Sequence, residues 1–112
     1  MSDVRFALEP GASVVLSLQS PKEKIWGILL SVDPAGVSVR GIDLAAFDDW
    51  VRQEVRGDES LIGLTTLFYP MHRVERLEGD ETIGPLMSYS ERFALEVGRP
   101  VLEALGLERP PS

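Results

Sequence analysis

Apolar residues in the first third of the chain predict two adjacent strands. Val14, Leu16 and Leu18 recur at every second position, which is the period of a half-buried strand. The run from residue 25 to residue 32 is apolar at nearly every position instead. Such a run is typical of a strand packed on both faces, so we expect this second strand to lie inside a sheet.

A tight turn links the second strand to a third. Residues 33–36, Asp-Pro-Ala-Gly, place proline and glycine where a type I turn prefers them. Val37 and Val39 then restore the two-residue period and lead into Gly41. The sequence therefore predicts a β-hairpin of strands two and three.

The pattern becomes helical after Asp43, a residue suited to capping a helix N-terminus. Leu44, Phe47 and Val51 recur at helical spacing, and Gly57 marks a C-terminal stop. These features predict a helix over residues 44–56.

Residues 61–69 return to a β pattern, and a last short strand follows at Val74 and Leu77. Pro70 lies between the two, and we interpret it as the corner where one strand passes to the next. A capping-box pattern at residues 88–91 then predicts a helix that extends to about residue 106. Gly98 and Pro100 interrupt this helix, so we expect a kink or two short helices.

The predicted order is three strands, a helix, two strands and a helix. Five short strands with tight turns favour a small barrel of the Sm-like or SH3-like type, because barrel closure removes exposed sheet edges. We expect one mainly β domain over residues 1–112, with a helix inserted between strands three and four and a C-terminal helix. The barrel core would cover about residues 13–78 and the helical extension about residues 88–106.

The second strand and its turn carry a short motif. Gly27, Leu29 and Asp33, in the pattern Gly-x-Leu-x-x-x-Asp, resemble the first motif of the Sm/LSm family, which includes the Hfq-type proteins. In that family the glycine lets a strongly bent strand pass, the leucine fills the barrel and the aspartate orders the turn. The resemblance covers roughly residues 13–42 and, more weakly, residues 61–78.

The resemblance implies a ligand-binding loop between the last two strands. Its candidate RNA-contacting or ligand-contacting residues are Asp33, Tyr69, His72 and Arg73, and His72 falls where the Hfq-type histidine lies. The loop departs from the family pattern because Met71 replaces the lysine, the tyrosine is one place off, and the chain contains no asparagine. From the residues alone, His72 also fits a solvated side chain, Asp33 a turn cap and Arg73 a salt bridge.

The family also implies self-association. In Sm-like proteins, strand four of one subunit pairs with strand five of the next and closes a ring. Five residues of the corresponding strands are candidates for such a subunit interface: Leu64, Thr66, Phe68, Val74 and Arg76.

Composition narrows the chemistry further. A net charge of −7 disfavours a large basic face for nucleic acid, because phosphate binding depends on Lys and Arg. The chain has no cysteine, which excludes thiol catalysis and cysteine-ligated zinc. No run approaches the roughly 18 apolar residues of a membrane helix, and no secretory signal is evident. We therefore expect a cytoplasmic protein with no membrane association, no metal and no cofactor.

Two functional hypotheses remain, and neither is an enzyme. Acid–base or nucleophilic catalysis needs at least two cooperating groups, and the sequence places none together, so no catalytic residue is assigned. The first hypothesis is an interaction or scaffold module that forms a homo-oligomer, which could be a ring. Such a module could also bind a protein partner. The alternative is an RNA-binding regulator of the Sm/Hfq class, which the charge and the missing asparagine disfavour.

Overall fold

A computed structural model describes residues 8–57 and 62–107. The strands are β1 (Ser13–Leu18), β2 (Glu23–Asp33), β3 (Gly36–Asp43), β4 (Thr65–Pro70) and β5 (Val74–Gly79). The helices are α1 (Phe47–Arg56), α2 (Tyr89–Val97) and α3 (Val101–Ala104). Short 3₁₀ turns lead into α1 (Leu44–Ala46) and join β4 to β5 (Met71–Arg73). The predicted mainly β order is confirmed, including the helix between strands three and four and the two short C-terminal helices.

The five strands form one antiparallel sheet in the order β4-β3-β2-β1-β5. The end strands β4 and β5 are nevertheless consecutive in the chain, joined only by the three-residue turn Met71–Arg73. In a flat sheet the end strands would lie about 19 Å apart. The four Cα steps from Pro70 to Val74 span at most about 15 Å, so the sheet curls at this corner.

The predicted closure into a barrel is not present. Among the residues described, β4 pairs only with β3, and β5 pairs only with β1. Closure was expected because it removes exposed edges. The short turn brings the end of β4 to the start of β5, but no ladder of main-chain hydrogen bonds joins the two strands. β4 also begins at Thr65, later than the predicted start at residue 61, which lies outside the described residues.

Both faces of β2 are buried from Ile25 to Leu29, as the apolar run predicts, but the predicted burial does not extend to the end of the run, because Val32 is 48% exposed. One face contributes to an apolar core shared with β1 and β3, against which half-buried residues of β4 and β5 also pack. On the other face, Trp26 packs edge-on against Phe47 with ring centroids 5.1 Å apart, and its indole N–H donates to Ser13 Oγ at 3.1 Å. The core consists of Val14, Leu16, Leu18, Ile25, Leu29, Val37 and Val39.

Close backbone contact between β2 and β3 requires glycine at position 27. Gly27 pairs with Gly41, and a Cβ added at Gly27 would lie 2.4 Å from the carbonyl oxygen of Arg40. The same atom would lie 2.6 Å from the Cα of Gly41. A side chain at position 27 would therefore collide with the β3 backbone, and Leu29 fills the core as expected.

The chain divides into two compact units. We call Met1–Phe47 with Leu64–Gly79 the sheet unit, and Asp48–Gly63 with Asp80–Ser112 the helical unit. Each unit therefore consists of two separate stretches of chain. The inserted helix α1, apart from its first residue, belongs with the C-terminal helices rather than with the sheet.

Aromatic stacking and a buried amide organise the helical unit. Trp50 of α1 stacks on Phe93 of α2 with ring centroids 4.7 Å apart. The buried Gln53 side chain donates to the carbonyl oxygen of Ile62 at 2.7 Å and accepts from its N–H at 3.0 Å. These contacts fix α1 against both the second helix and the segment that leads to β4.

The N-terminus of α2 departs from a simple capping box. Ser88 Oγ accepts from the N–H of Glu91 at 3.1 Å, as predicted. The Glu91 carboxylate contacts the Thr82 hydroxyl instead of returning to Ser88, and Thr82 Oγ1 accepts the Ser88 N–H at 3.0 Å. Asp80 accepts two further N–H groups of this first turn.

None of the helices in residues 8–57 and 62–107 is long and apolar enough to cross a membrane.

Candidate interaction site at the open sheet edges

The predicted ligand-binding residues gather at one end of the sheet unit. The 3₁₀ turn Met71–Arg73 carries His72 and Arg73, and Tyr69 precedes it on β4. The N–H of Met71 donates to the carbonyl oxygen of Ala35 at 2.9 Å, which joins this turn to the β2–β3 turn that Asp33 begins. The structure therefore brings Asp33, His72 and Arg73 to two neighbouring turns, with Tyr69 on the adjoining end of β4.

Arg73 stabilises the β4–β5 turn through several hydrogen bonds. Its guanidinium donates to the carbonyl oxygens of Gln19 and Pro21 at 3.0 and 2.9 Å and to the Glu23 carboxylate at 3.0 Å. Its own carbonyl oxygen accepts from the N–H of Gln19 at 2.8 Å. These bonds confirm the predicted salt bridge. They show that Arg73 connects the β1–β2 turn to the β4–β5 turn.

Asp33 and Tyr69 also have structural partners. Asp33 Oδ1 accepts from the N–H groups of Ala35 and Gly36 at 2.8 and 3.3 Å, which confirms its turn-capping interpretation. Tyr69 is half-buried against the core, and Arg73 lies over its ring at 5.8 Å from the centroid. Burial, and then the charge of Glu23, raise the pKa of the Tyr69 hydroxyl, while Arg73 opposes this shift.

His72 and Asp33 are the two exposed members of the set. It lies in the middle of the 3₁₀ turn, and its carbonyl oxygen accepts from the side-chain amide of Gln19 at 3.1 Å. Its imidazole side chain is exposed. Asp33 is exposed as well, but its Oδ1 already accepts two N–H groups of the turn, so His72 is the contact residue that is more readily available to a ligand.

The predicted interface residues of β4 divide into exposed and buried positions. Phe68 is 55% exposed and Thr66 is exposed, with its hydroxyl accepting from Arg40 at 3.3 Å. Leu64 is 5% exposed and precedes the strand, so its side chain belongs to the interior. On β5, Val74 packs on the core, whereas Arg76 is exposed beside Glu78 at 3.9 Å.

Main-chain groups of β4 are available along its free edge. In an antiparallel pair, residues alternately direct both main-chain groups toward the partner strand and away from it. The bond from Met71 to Ala35 continues the β3–β4 register, so every second residue back from Met71 faces β3. Thr66 and Phe68 are the alternate residues, and their N–H and C=O groups point to the side where no described strand pairs.

Sequence reasoning missed a polar groove on the sheet unit. It has a volume of about 380 Å³ and lies where β1 is flanked by β2 and β5. Both lysines of the chain line it, and their proximity in sequence was the only signal available. The groove is lined by Ser17, Leu18, Lys22, Glu23, Lys24, Glu75 and Arg76.

Within the described residues no group of three or more His, Asp or Glu side chains is placed to hold a metal ion.

Comparison with known proteins gives no relative. No protein-family model matches the chain, and neither a curated protein nor a solved structure matches it. The fold and the accessible surfaces of the sheet unit are therefore the basis for inferring a function.

Proposed function

We propose that this chain is a non-enzymatic, Sm-like module that self-associates through its open sheet edges, with β4 of one copy pairing with β5 of the next. The observation that carries the proposal is the pair of outer edges, at the two ends of one curled sheet, with which no strand of residues 8–57 and 62–107 pairs. An unpaired edge with outward N–H and C=O groups is a template for another strand. An Sm-type ring needs this arrangement, with one donor edge and one acceptor edge on each subunit.

The exposed surface of β4 supports the same proposal. Proteins that keep their edges monomeric place charges, prolines or bulges there. β4 instead presents two threonines and a 55%-exposed phenylalanine, and only its last residue, Pro70, lacks an N–H. Gly27, Leu29 and Asp33 have the local roles that the Sm motif implies, which supports the Sm-like assignment of the sheet.

Light scattering of the full chain at tens of micromolar tests the proposal. The expected mass is a multiple of 12.4 kDa. Phe68→Lys places a charge on the free edge and should shift the mass to that of the monomer. Val55→Lys is the matched control, because Val55 is 54% exposed but lies on α1, and its mass should equal that of the parent protein. A monomeric parent protein would contradict the proposal.

A second variant tests the main-chain part of the contact. Thr66→Pro removes an N–H that points away from β3, so the β3–β4 ladder should survive while assembly weakens. Leu67→Pro removes an N–H that faces β3 and should damage the fold itself. If Thr66→Pro retains the parent mass, pairing through the β4 edge is wrong.

RNA binding is the second candidate, favoured by the exposed His72 beside the Asp33 turn. The distribution of charge also removes part of the objection to it. The sheet unit carries seven acidic and six basic residues, so most of the net charge of −7 lies in the helical unit. His72→Ala should then weaken salt-sensitive binding of uridine-rich single-stranded RNA while the Tm stays unchanged. No binding of the parent protein at low salt would exclude this candidate.

A further inference from the structure

The outer face of the sheet unit carries a row of cation, hydroxyl and cation. The strand register places Ser17 of β1 directly opposite Lys24 of β2 on one side and Arg76 of β5 on the other. All three lie on the face opposite the apolar core, because their neighbours Leu16 and Leu18 point into that core. Directly opposed residues of adjacent strands lie about 5 Å apart, so the two cations flank the hydroxyl.

The groove described above contains this row, and it holds more positive than negative charge available to a ligand. Lys22, Lys24 and Arg76 line it together with two carboxylates. The carboxylate of Glu23 is occupied by Arg73 at 3.0 Å, so Glu75 is the remaining acid of the lining. Within residues 8–57 and 62–107 neither lysine forms an ion pair, and the Arg76–Glu78 contact is long and exposed, which makes it a weak competitor.

We propose that this groove, which we call the Lys24 groove, binds a compact phosphate group. Two long cationic side chains can converge above Ser17, whose hydroxyl can donate to the same ligand. A terminal phosphate offers three oxygens and nearly two negative charges to these donors, as in phosphoryl recognition elsewhere. A phosphodiester of a nucleic-acid backbone offers two free oxygens and one charge, so the convergent arrangement favours the terminal group.

The groove adjoins the proposed subunit contact only through β5. Arg76 lies on β5, whose free edge takes part in that contact, whereas Lys24 lies on β2, inside the sheet and two strands away from β4. Lys24 therefore tests phosphate binding separately from self-association. Lys24→Gln should abolish neither the assembly nor the fold, because the Lys24 side chain is exposed and has no ion pair among the described residues.

The test is a titration of the isotope-labelled full chain with inorganic phosphate and with pyrophosphate at low ionic strength, followed by amide NMR shifts. We expect saturable shifts at Ser17, Lys24 and Arg76 that weaken as salt increases. Lys24→Gln and Arg76→Gln should each weaken binding about fivefold, since each removes one solvent-exposed charged contact. Glu75→Gln should strengthen it about threefold by removing a like charge.

Arg52→Gln is the matched control. It makes the same change of charge at an exposed arginine of α1 and should leave the affinity unchanged. A uridine oligonucleotide without terminal phosphate distinguishes the source of the phosphate and should bind the Lys24 groove more weakly than pyrophosphate. The proposal is overturned if phosphate produces no saturable shifts, if Arg52→Gln weakens binding as much as Lys24→Gln, or if only the oligonucleotide binds the groove.

Discussion

The sheet unit and the helical unit differ most in charge. The sheet unit has six basic against seven acidic residues, whereas the helical unit has five basic against eleven acidic residues. A whole-chain charge of −7 therefore describes the helical unit and misrepresents the sheet unit. The net charge therefore argues against anion binding by the helical unit. It does not argue against anion binding by the sheet unit, whose charges nearly cancel and whose groove contains several cations.

The two units also differ in how they are stabilised. The sheet unit has four ladders of main-chain hydrogen bonds around a continuous apolar core. In its described part, the helical unit has the stacked rings of Trp50 and Phe93, the buried Gln53 amide, a few further buried apolar side chains such as Val51 and Val101, and ion pairs such as Arg92–Asp48 and Arg99–Glu54. Asp48 also raises the pKa of Arg92 by accepting its hydrogen bond. Fewer buried apolar contacts predict that the helical unit opens more readily than the sheet unit.

The largest expected effect comes from Phe93→Ala in the helical unit. Phe93 is fully buried against Trp50, and its truncation should cost about 4 kcal/mol of unfolding free energy. The two tryptophans lie one in each unit, so their indole N–H resonances report the units separately during a urea titration. The transition seen at Trp50 should shift more than the one seen at Trp26. Coincident transitions with equal shifts would show that the units unfold as one.

Gly27→Ala should destabilise the sheet unit next most strongly. The added methyl group would clash with the backbone of β3, which cannot move without breaking its ladders, and the expected cost is about 3 kcal/mol. Gly63→Ala in the helical unit is the control, because nothing lies within 4 Å of the added atom. It should change stability by less than about 0.5 kcal/mol. Equal effects of the two substitutions would refute the close approach of β2 and β3.

The sequence predicted the elements of the fold better than their closure. Periods of two and 3.6 residues located the strands and helices, because burial on one face imposes them locally. Whether β4 reaches β5 depends on the curl of the whole sheet, which no local pattern records. The start of β4 was misplaced for a similar reason, since Leu64 is buried without being part of a strand and its apolar character therefore resembled strand residues.

The functional surfaces were predictable only in part. Asp33 was interpreted as a turn cap because an aspartate before Pro-Ala-Gly has a local partner. The three partners of Arg73 lie about 50 residues away in sequence, so no spacing rule identifies them. The Lys24 groove requires the register of three strands, and that register is fixed by tertiary pairing rather than by composition.

A smaller effect is expected for the polar contacts of Arg73. Arg73→Ala removes three hydrogen bonds at a largely buried side chain and should cost about 2 kcal/mol. Glu23→Gln leaves the two carbonyl partners in place and should cost about 0.5 kcal/mol. Arg99→Ala, which breaks an ion pair of the helical unit, should also cost about 0.5 kcal/mol. Denaturant unfolding measures these losses of unfolding free energy. Equal losses for Arg73→Ala and Arg99→Ala would show that the contacts of Arg73 stabilise the chain no more than an exposed ion pair does.

The smallest expected effect is an alkaline one at Tyr69. Burial raises the pKa of its hydroxyl above the usual value of 10.0, so the folded chain retains the phenolic proton at a pH where the unfolded chain releases it. The corresponding contribution to stability is present below about pH 10 and is lost as the pH rises through the folded-state pKa. Tyr69→Phe should therefore show a shallower decline of unfolding free energy between about pH 9 and 11 than the parent chain. Each protein is compared with its own unfolding free energy at pH 7, which removes the pH-independent effect of the lost hydroxyl. If the unfolding free energies of the two proteins decline equally with pH, Tyr69 is not a source of the decline.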